Sequence, residues 1–262
     1  MSGTTIRKVV ITEFGDASKV HIIQDTITPP PKNHVQVATI YSGFSGADIN
    51  MRRGVYPMQN KAPLTPGYCL VGIVKTNEKY LIKVPAGIDL QQANALVLYW
   101  NTAYAMVFES AKVTAGQRVF IHGVSGAVGY ALMKLCQLQG AQVYGTASER
   151  NHKVARAQGA TPFVYTDKNW IKIMKDLGGA DAVFDPLGFE SWDESFSILS
   201  PTGILVGFGG NLPSLNDDSE SRSVVMPAVK LLARDDARFE PNLKTLFGLI
   251  AKGKITVPIN NV

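Results

Sequence analysis

Three glycines at a spacing of three residues form the part of the chain most suited to hold a charged ligand. Gly123, Gly126 and Gly129 lie in the stretch HGVSGAVG, between a predicted strand at 118–122 and a predicted helix at 128–139. One glycine permits a tight turn, a second lets the backbone approach a pyrophosphate, and a third lets the helix pack closely. The amides and dipole at the helix start attract the anion. The turn therefore predicts dinucleotide binding, with a purely structural turn as the alternative. Its predicted contacts are Gly123, Ser125, Gly126, Ala127, Val128 and Gly129.

The residues after the second predicted strand, 142–146, indicate which dinucleotide would bind. An NAD site usually has Asp or Glu there, which binds the ribose 2′-hydroxyl. Here Ser148 is small and neutral, and Arg150 and Lys153 follow it. Glu149 argues for NAD, although at the start of a helix it can instead complement the dipole. The cations suit a 2′-phosphate, so the sequence favours NADPH, with Ser148, Arg150 and Lys153 as contacts.

Two later strand ends carry further candidates for cofactor contact. Parallel sheets present their ligands at the carboxyl ends of the strands. The predicted strands at 181–185 and 203–208 both end in residues that fit this place. Each candidate either contacts the cofactor or only shapes its turn. These candidates are Asp185, Gly188, Gly207, Phe208 and Gly209.

The predicted secondary structure that positions these residues changes near residue 90. Before it, short extended runs alternate polar and apolar residues, as in half-buried strands. They lie at 8–12, 34–41 and 68–75, with a short helix at 47–53. After it, strands and helices alternate, which predicts a parallel sheet covered by helices on both faces. The sequence therefore predicts an α/β chain with a small β-rich domain, 1–88, and a doubly wound domain, 89–262.

Composition excludes several classes of protein. The net charge is +5, and no run of Lys or Arg marks a nucleic-acid surface. Two cysteines are too few for a disulfide framework or a cysteine-built zinc site. No stretch resembles a signal peptide or a membrane span of roughly 20 apolar residues. We therefore expect a cytoplasmic protein without membrane or nucleic-acid partners.

Several motifs together resemble the medium-chain dehydrogenase/reductase superfamily, in its zinc-free quinone oxidoreductase (zeta-crystallin-like) branch. They are HGVSGAVG with GTAS, SGFSGADINMRRGVYP, LTPGYCLVGIV, LVLYWNTAYAMV, VFDPLG and ILVGFGG. The resemblance implies a GroES-like catalytic domain over 1–88 and a Rossmann cofactor domain over 89–262. It also implies hydride transfer from NADPH to a quinone, an enone or an enal.

The resemblance also indicates whether the protein binds zinc. Zinc-dependent relatives carry Cys and His ligands in the small domain. This chain has Ser45 and Gly46 where the first zinc cysteine would stand, and Tyr68 and Cys69 where a His-Glu pair would follow. The resemblance therefore implies that no metal is bound, and that alcohol dehydrogenase chemistry, which needs a Lewis acid, is absent.

Four residues of this chain match positions near the active site of relatives. Tyr56 aligns with a tyrosine that lines the site, and its phenol could donate to the carbonyl oxygen of the substrate. Ser45 stands at a frequent asparagine position and could also donate. Asp48 matches a family aspartate that either meets a ligand or caps the short helix. Tyr99 replaces a small hydroxyl residue and would reshape the substrate pocket.

Two other functions remain compatible with these features. One is a non-catalytic NADPH-binding protein, crystallin-like or RNA-binding, as known among relatives. The other is an enoyl reductase that serves a biosynthetic pathway in trans and differs only in substrate. A homodimer is compatible with the family, in which edge strands often pair between subunits.

The chain is shorter than its relatives, and the shortfall is concentrated at two points and at the end. Family segments are missing at Asn77–Glu78 and at Ala233–Arg234, and the closing helix and strand do not follow Val262. Either residues have been left out of the numbering, or the deletions are real. Real deletions would expose unpaired strand edges, so omission is favoured. It predicts Cα separations well above about 3.8 Å at these two points.

Overall fold

The computed structural model describes residues 4–32, 34–56, 59–67, 69–74, 81–188, 190–209, 224–225 and 237–259. These residues form two compact units. The first contains the described residues up to Ala95 together with Ile259, and the second runs from Leu96 to Pro258. The sequence predicted the division at 88/89. The units divide at 95/96 because the helix Leu90–Ala95 packs on strands of the first unit. Both predicted breaks, at 77/78 and 233/234, lie outside the described residues and stay predictions.

Two antiparallel strand pairs and short helices make up the described part of the first unit. Its elements are β1 (Thr4–Ile11), a 3₁₀ turn (Ala17–Lys19), β2 (Val20–Ile27), β3 (Val37–Ser42), α1 (Gly46–Arg53), β4 (Leu70–Val74) and α2 (Leu90–Ala95). β1 pairs with β2, and β3 pairs with β4 with an irregularity between Thr39 and Tyr41. α1 ends at Gly54, whose φ of 76° is the left-handed conformation that glycine adopts at low cost.

The second unit begins with a long helical stretch and continues with alternating strands and helices. Its elements are π-helical turns at Leu96–Trp100 and Met106–Ser110 around α3 (Asn101–Ala105), β5 (Arg118–Ile121), α4 (Ala127–Leu138), β6 (Gln142–Ala147), a 3₁₀ turn (Glu149–Asn151), α5 (His152–Ala157), β7 (Thr161–Val164), α6 (Asn169–Asp176), β8 (Ala180–Asp185), α7 (Glu190–Ser197), β9 (Leu199–Gly207), β10 (Val224–Val225) and α8 (Phe239–Ala251). The predicted alternation of strands and helices is therefore present.

The sheet of the second unit determines where a ligand can bind. Its strands lie in the order β10-β9-β8-β5-β6-β7, and every neighbouring pair is parallel. Numbered from β5, this is the doubly wound order 3-2-1-4-5-6. The order in which strands are added reverses between β5 and β8, and such a reversal leaves a crevice at the carboxyl ends of the strands. The glycine turn follows β5 and Asp185 ends β8, so both lie at this switch point.

A buried aromatic core supports the carboxyl edge of the sheet. Phe120 of β5 stacks on Trp170 of α6, with ring centroids 4.8 Å apart, and both side chains are buried. The ring of His122 meets Trp170 edge-on at 5.4 Å. Rings packed at these distances hold the ends of β5 and α6 together, so the residues after β5 start from a rigid base.

Candidate functional site

The glycine turn after β5 has the backbone geometry that its sequence predicts. Gly123 has a φ of 70°, which residues with a side chain rarely adopt. The N–H of Gly126 donates to the carbonyl oxygen of Gly123 at 2.9 Å and closes the turn. Gly123, Ser125 and Gly126 are exposed, so the outer face of the turn is open to a ligand.

Gly129 allows α4 to pack directly on this turn. A Cβ atom at Gly129 would lie 2.1 Å from the carbonyl oxygen of Gly123 and 3.0 Å from Cα of Val124. Both neighbours are backbone atoms and cannot rotate away. The first and third glycines therefore act as predicted, one in the turn and one at the helix contact.

The start of α4 is free to receive an anion. Gly126 is its N-cap and has no side chain to accept the first N–H groups of the helix. α4 has 12 residues, so its dipole adds to the attraction of these N–H groups. An uncapped helix start behind an exposed turn fits a pyrophosphate, and Ala127 and Val128 provide the first two N–H groups.

The residues after β6 face the same edge of the sheet. Ser148 is half-buried, while Arg150 and Lys153 are exposed. Asn151 was not predicted, and its Nδ2 donates to the hydroxyl oxygens of Ser125 at 3.1 Å and Ser148 at 3.2 Å. It therefore links the glycine turn to the end of β6. Because this contact spans 26 residues, no local sequence signal identifies it.

His152, which lies between Arg150 and Lys153 in the sequence, is not exposed as they are. It is buried, and its Nε2 lies 3.2 Å from the carbonyl oxygen of Ala147. The imidazole therefore anchors α5 to the end of β6 and is not part of an exposed cationic surface.

Asp185 organises the loop after β8. Its Oδ1 accepts hydrogen bonds from the N–H groups of Leu187 and Gly188, at 2.8 and 3.2 Å. The hydroxyl of Ser191 lies 2.9 Å from both this Oδ1 and the carbonyl oxygen of Gly188, so its single proton is shared between the two. Its Oδ2 accepts from the hydroxyl of Ser195 at 2.7 Å. The side chain is fully buried. Of the two roles left open by the sequence, its carboxylate has the structural one, because three protein donors and the shared hydroxyl of Ser191 already occupy it.

A directed chain of hydrogen bonds joins this loop to the glycine turn. The hydroxyl of Ser195 gives its single proton to Asp185, so its oxygen must accept from Nε2 of His122, which lies 3.0 Å away. Nδ1 of His122 then carries a lone pair, which accepts from the hydroxyl of Thr146 at 3.4 Å. Thr146 Oγ1 in turn accepts the N–H of Gly123 at 3.2 Å. His122 therefore fixes the turn, and it does so as the neutral Nε2–H tautomer.

We expect His122 to make stability depend on pH. Burial, the largest cause, lowers the pKa of His122 from its ordinary value of 6.5, while the charge of Asp185 partly opposes the shift. Below pH 6.5 the unfolded chain gains a proton at His122 that the folded chain does not, so stability falls as pH falls. Between pH 7.5 and 5.5 this costs at most about 1.4 kcal/mol.

This pH effect can be measured by urea unfolding of the wild type and His122→Asn at both pH values. The asparagine keeps one donor and one acceptor but does not titrate. We expect the variant to lose about 1 kcal/mol less than the wild type on acidification. Equal losses would show that His122 does not cause the dependence. His34→Asn, at an exposed position, serves as the control.

A cavity of about 700 Å³ opens at this edge of the sheet. Its lining residues are His122, Thr146, Tyr165, Lys168, Trp170, Leu187, Gly188, Ser191 and Glu194. Lys168 and Glu194 form an ion pair at 2.7 Å between α6 and α7. Gly188 was predicted as a contact and does line the cavity, whereas the exposed Tyr165 was not predicted.

The end of β9 lies beside the Asp185 loop. Gly207 pairs with Asp185 across the sheet, and the N–H of Phe208 donates to the carbonyl oxygen of Asp185 at 3.0 Å. Gly209 has a φ of 92°, and a Cβ there would come within 3.2 Å of the carbonyl oxygen of Pro186. Phe208 is buried and Gly209 is exposed, so only part of this stretch is open to a ligand.

The first unit contains three of the predicted substrate-site residues. Oδ2 of Asp48 accepts from the backbone N–H and the hydroxyl of Ser45, at 2.7 and 2.8 Å, and its Oδ1 accepts from the N–H of Gly67 at 2.7 Å. Asp48 is buried, so it has the capping role rather than the ligand role. Tyr56 is half-buried, and its backbone N–H donates to the Gln59 side chain.

The remaining features that bear on the site are Tyr99, the two cysteines and two findings on the described residues as a whole. Tyr99 is half-buried within the π-helical turn Leu96–Trp100. Cys69 and Cys136 are free and buried, and burial raises the pKa of both thiols, as expected of core residues. Among the described residues, no three His, Cys, Asp or Glu side chains are placed to hold a metal ion. In the same part of the chain, no helix is long and apolar enough to cross a membrane.

The strand order and the glycine turn at the switch point define a Rossmann unit. A family model described as zinc-binding dehydrogenase matches residues 127–234. The synaptic vesicle membrane protein VAT-1 homolog of Danio rerio is 28% identical over 78% of this chain and 49% of its own length. Quinone oxidoreductase of Homo sapiens is 26% identical over 90% of this chain and 83% of its own. The structure of Escherichia coli quinone oxidoreductase complexed with NADPH has a TM-score of 0.86 at 21% identity, covering 97% of this chain and 91% of that one.

The family model and the quinone oxidoreductases support the predicted resemblance to the medium-chain dehydrogenase/reductase superfamily, in its quinone oxidoreductase branch. The predicted fold class, a Rossmann unit with a GroES-like unit, is confirmed by the solved structures. The chain spans 49–61% of the length of the VAT-1 homologs that it matches.

Proposed function

We propose that this chain binds NADPH at the glycine turn and transfers its hydride to a quinone or an activated C=C bond. The uncapped start of α4 behind the exposed turn is the observation that carries the proposal. It leaves backbone N–H groups without side-chain acceptors at the place where a dinucleotide pyrophosphate would lie. Quinone oxidoreductases among the relatives, one of them solved with NADPH, support the same reading.

NADPH is preferred to NADH because of the charges after β6. The residue that follows β6 is Ser148, which has no carboxylate to bind a ribose 2′-hydroxyl, and Arg150 and Lys153 after it are exposed. Neither cation forms an ion pair with another described residue. Both are therefore available to a 2′-phosphate, which they would bind by charge-assisted hydrogen bonds.

The protein needs little chemistry of its own for such a reaction. Quinones and conjugated carbonyls are electrophilic, so the chain has to orient the acceptor and stabilise the oxyanion that develops. We assign the stabilising donor to the phenol of Tyr56. We propose a reaction without zinc, because Ser45 and Cys69 stand at positions where zinc-dependent members of the superfamily have metal-binding residues of other types. A cytoplasmic location and the absence of a nucleic-acid partner are further parts of this proposal.

NADPH oxidation in the presence of a 1,4-quinone and of an alkenal tests the function directly. We expect turnover with NADPH that survives prolonged EDTA treatment. In fluorescence titrations NADPH should bind at least about ten-fold more tightly than NADH, which corresponds to about 1.4 kcal/mol. Equal dissociation constants would contradict the assignment of the 2′-phosphate site. Tight NADPH binding without turnover on any acceptor would instead favour a non-catalytic role.

Replacing Tyr56 by phenylalanine tests the oxyanion role. We expect kcat/KM for a weakly activated enone to fall about ten- to hundred-fold, because one donor to the developing charge is lost. NADPH affinity should not change. Tyr41→Phe, at an exposed position of β3, is the matched control. A wild-type rate in Tyr56→Phe would leave this residue without a chemical role.

A further inference from the structure

We propose that Asn151 sets the preference of the site for a phosphorylated cofactor by orienting two serine hydroxyls outward as donors. This inference rests on the proposed NADPH site and assigns a specificity role to a residue outside the glycine motif. Its basis is the pair of hydrogen bonds from Nδ2 of Asn151 to Oγ of Ser125 and to Oγ of Ser148.

The side-chain amide of Asn151 has two N–H groups, and each of them meets one serine oxygen. A hydroxyl that accepts a hydrogen bond from an amide cannot point its own proton back at that amide. Neither Ser125 nor Ser148 donates its own hydroxyl proton to a described residue. Both protons are therefore free to bind an acceptor that arrives from outside.

The backbone holds Asn151 in place for this task. It is the last residue of the 3₁₀ turn Glu149–Asn151, and its N–H donates to the carbonyl oxygen of Ser148 at 2.9 Å. Ser148 begins the same turn as its N-cap, so the contact between the two side chains is built into one short loop. Because Ser125 belongs to the glycine turn and Ser148 to the loop after β6, Asn151 orients hydroxyl donors from both loops.

The two serine hydroxyls that donate outward lie beside the exposed Arg150 and Lys153, so the site distinguishes ligands by their charge. Phosphate oxygens are acceptors, and an ionised acceptor forms the stronger hydrogen bond. A ribose 2′-hydroxyl can accept as well, but it carries no charge for Arg150 and Lys153. The arrangement therefore favours a 2′-phosphate over a free 2′-hydroxyl.

Asn151→Asp reverses this polarity at almost constant shape. A carboxylate only accepts, so both serines would have to turn their protons inward and present lone pairs to the ligand. It also places a negative charge where NAD sites have an acidic residue. We expect the dissociation constant of NADPH to rise by about ten-fold or more. The dissociation constant of NADH should stay the same or fall.

Fluorescence titration of both nucleotides on the full chain provides the test. Gln142→Glu is the matched control, because it adds the same charge at the opposite end of β6 and its Oε1 keeps the bond from Tyr144. Asn151→Ala removes the link without adding charge and should weaken NADPH binding less than Asn151→Asp does. In a Ser125→Ala/Ser148→Ala background, the effect of Asn151→Asp should shrink.

The outcomes separate this inference from the proposed function. A wild-type chain that does not bind NADPH would overturn the function itself. Normal wild-type binding, with Asn151→Asp no weaker than Gln142→Glu, would overturn only the role of Asn151. If Asn151→Asp does not fold, Asn151→Ala provides the test. An unchanged ratio of the NADPH and NADH dissociation constants in that variant would contradict the inference.

Discussion

Gly129→Ala is expected to weaken NADPH binding at least about ten-fold and to lower the free energy of unfolding by about 1–3 kcal/mol. The added Cβ would lie 2.1 Å from the carbonyl oxygen of Gly123. Because that oxygen belongs to a turn closed by its own hydrogen bond, α4 would have to move away from the turn. The first N–H groups of α4 would then no longer point at the pyrophosphate.

Gly248→Ala is the control for this substitution, because Gly248 also lies inside a helix, α8. A Cβ there would have no neighbour within 4 Å. Alanine is the better helix former, so this variant should be unchanged or gain up to about 1 kcal/mol. Titration of NADPH and urea unfolding of both variants decide the matter. Gly129→Ala with wild-type affinity would mean that the close contact of α4 with the turn is not needed for binding.

The features that the sequence predicted are those whose physical cause is local. Gly123 and Gly129 are required by a turn and a helix contact within seven residues, so their spacing alone identifies them. The central strands β5 and β8 contain the continuous apolar runs 119–121 and 182–184, as expected when a parallel sheet is covered on both faces. β2 was not predicted, because it is mostly exposed and exists through pairing with β1.

The features that the sequence did not predict depend on contacts between distant residues. Asn151 reaches Ser125 over 26 positions, and His122 reaches Ser195 over 73. Tyr165 was not singled out because only the packed sheet edge shows that it lines a cavity. For Asp185, the residue type and its place at the end of a strand allowed either contact with the cofactor or a structural role in the turn. Counting the donors around its carboxylate is what distinguishes them.

Removing the carboxylate of Asp185 is expected to have the largest effect on stability. Asp185→Ala would leave the hydroxyl of Ser195 and the N–H groups of Leu187 and Gly188 without their buried acceptor. Hydrogen bonds to charged groups contribute about 1.5–3 kcal/mol each, so we expect a loss of at least about 3 kcal/mol. Asp176→Ala removes an exposed carboxylate that pairs with Lys172 and should cost less than about 0.5 kcal/mol.

Asp185→Asn should be milder, because the chain of hydrogen bonds can reverse its direction. The new amide would donate to Ser195, which would donate to Nε2 of His122, and the imidazole proton would move to Nδ1. We expect a cost of about 1–2 kcal/mol, measured by urea unfolding. Nitrogen NMR of the imidazole should show the Nε2–H tautomer in the wild type and the Nδ1–H tautomer in Asp185→Asn. The same tautomer in both proteins would mean that Asp185 does not set the direction of the chain that ends at Gly123.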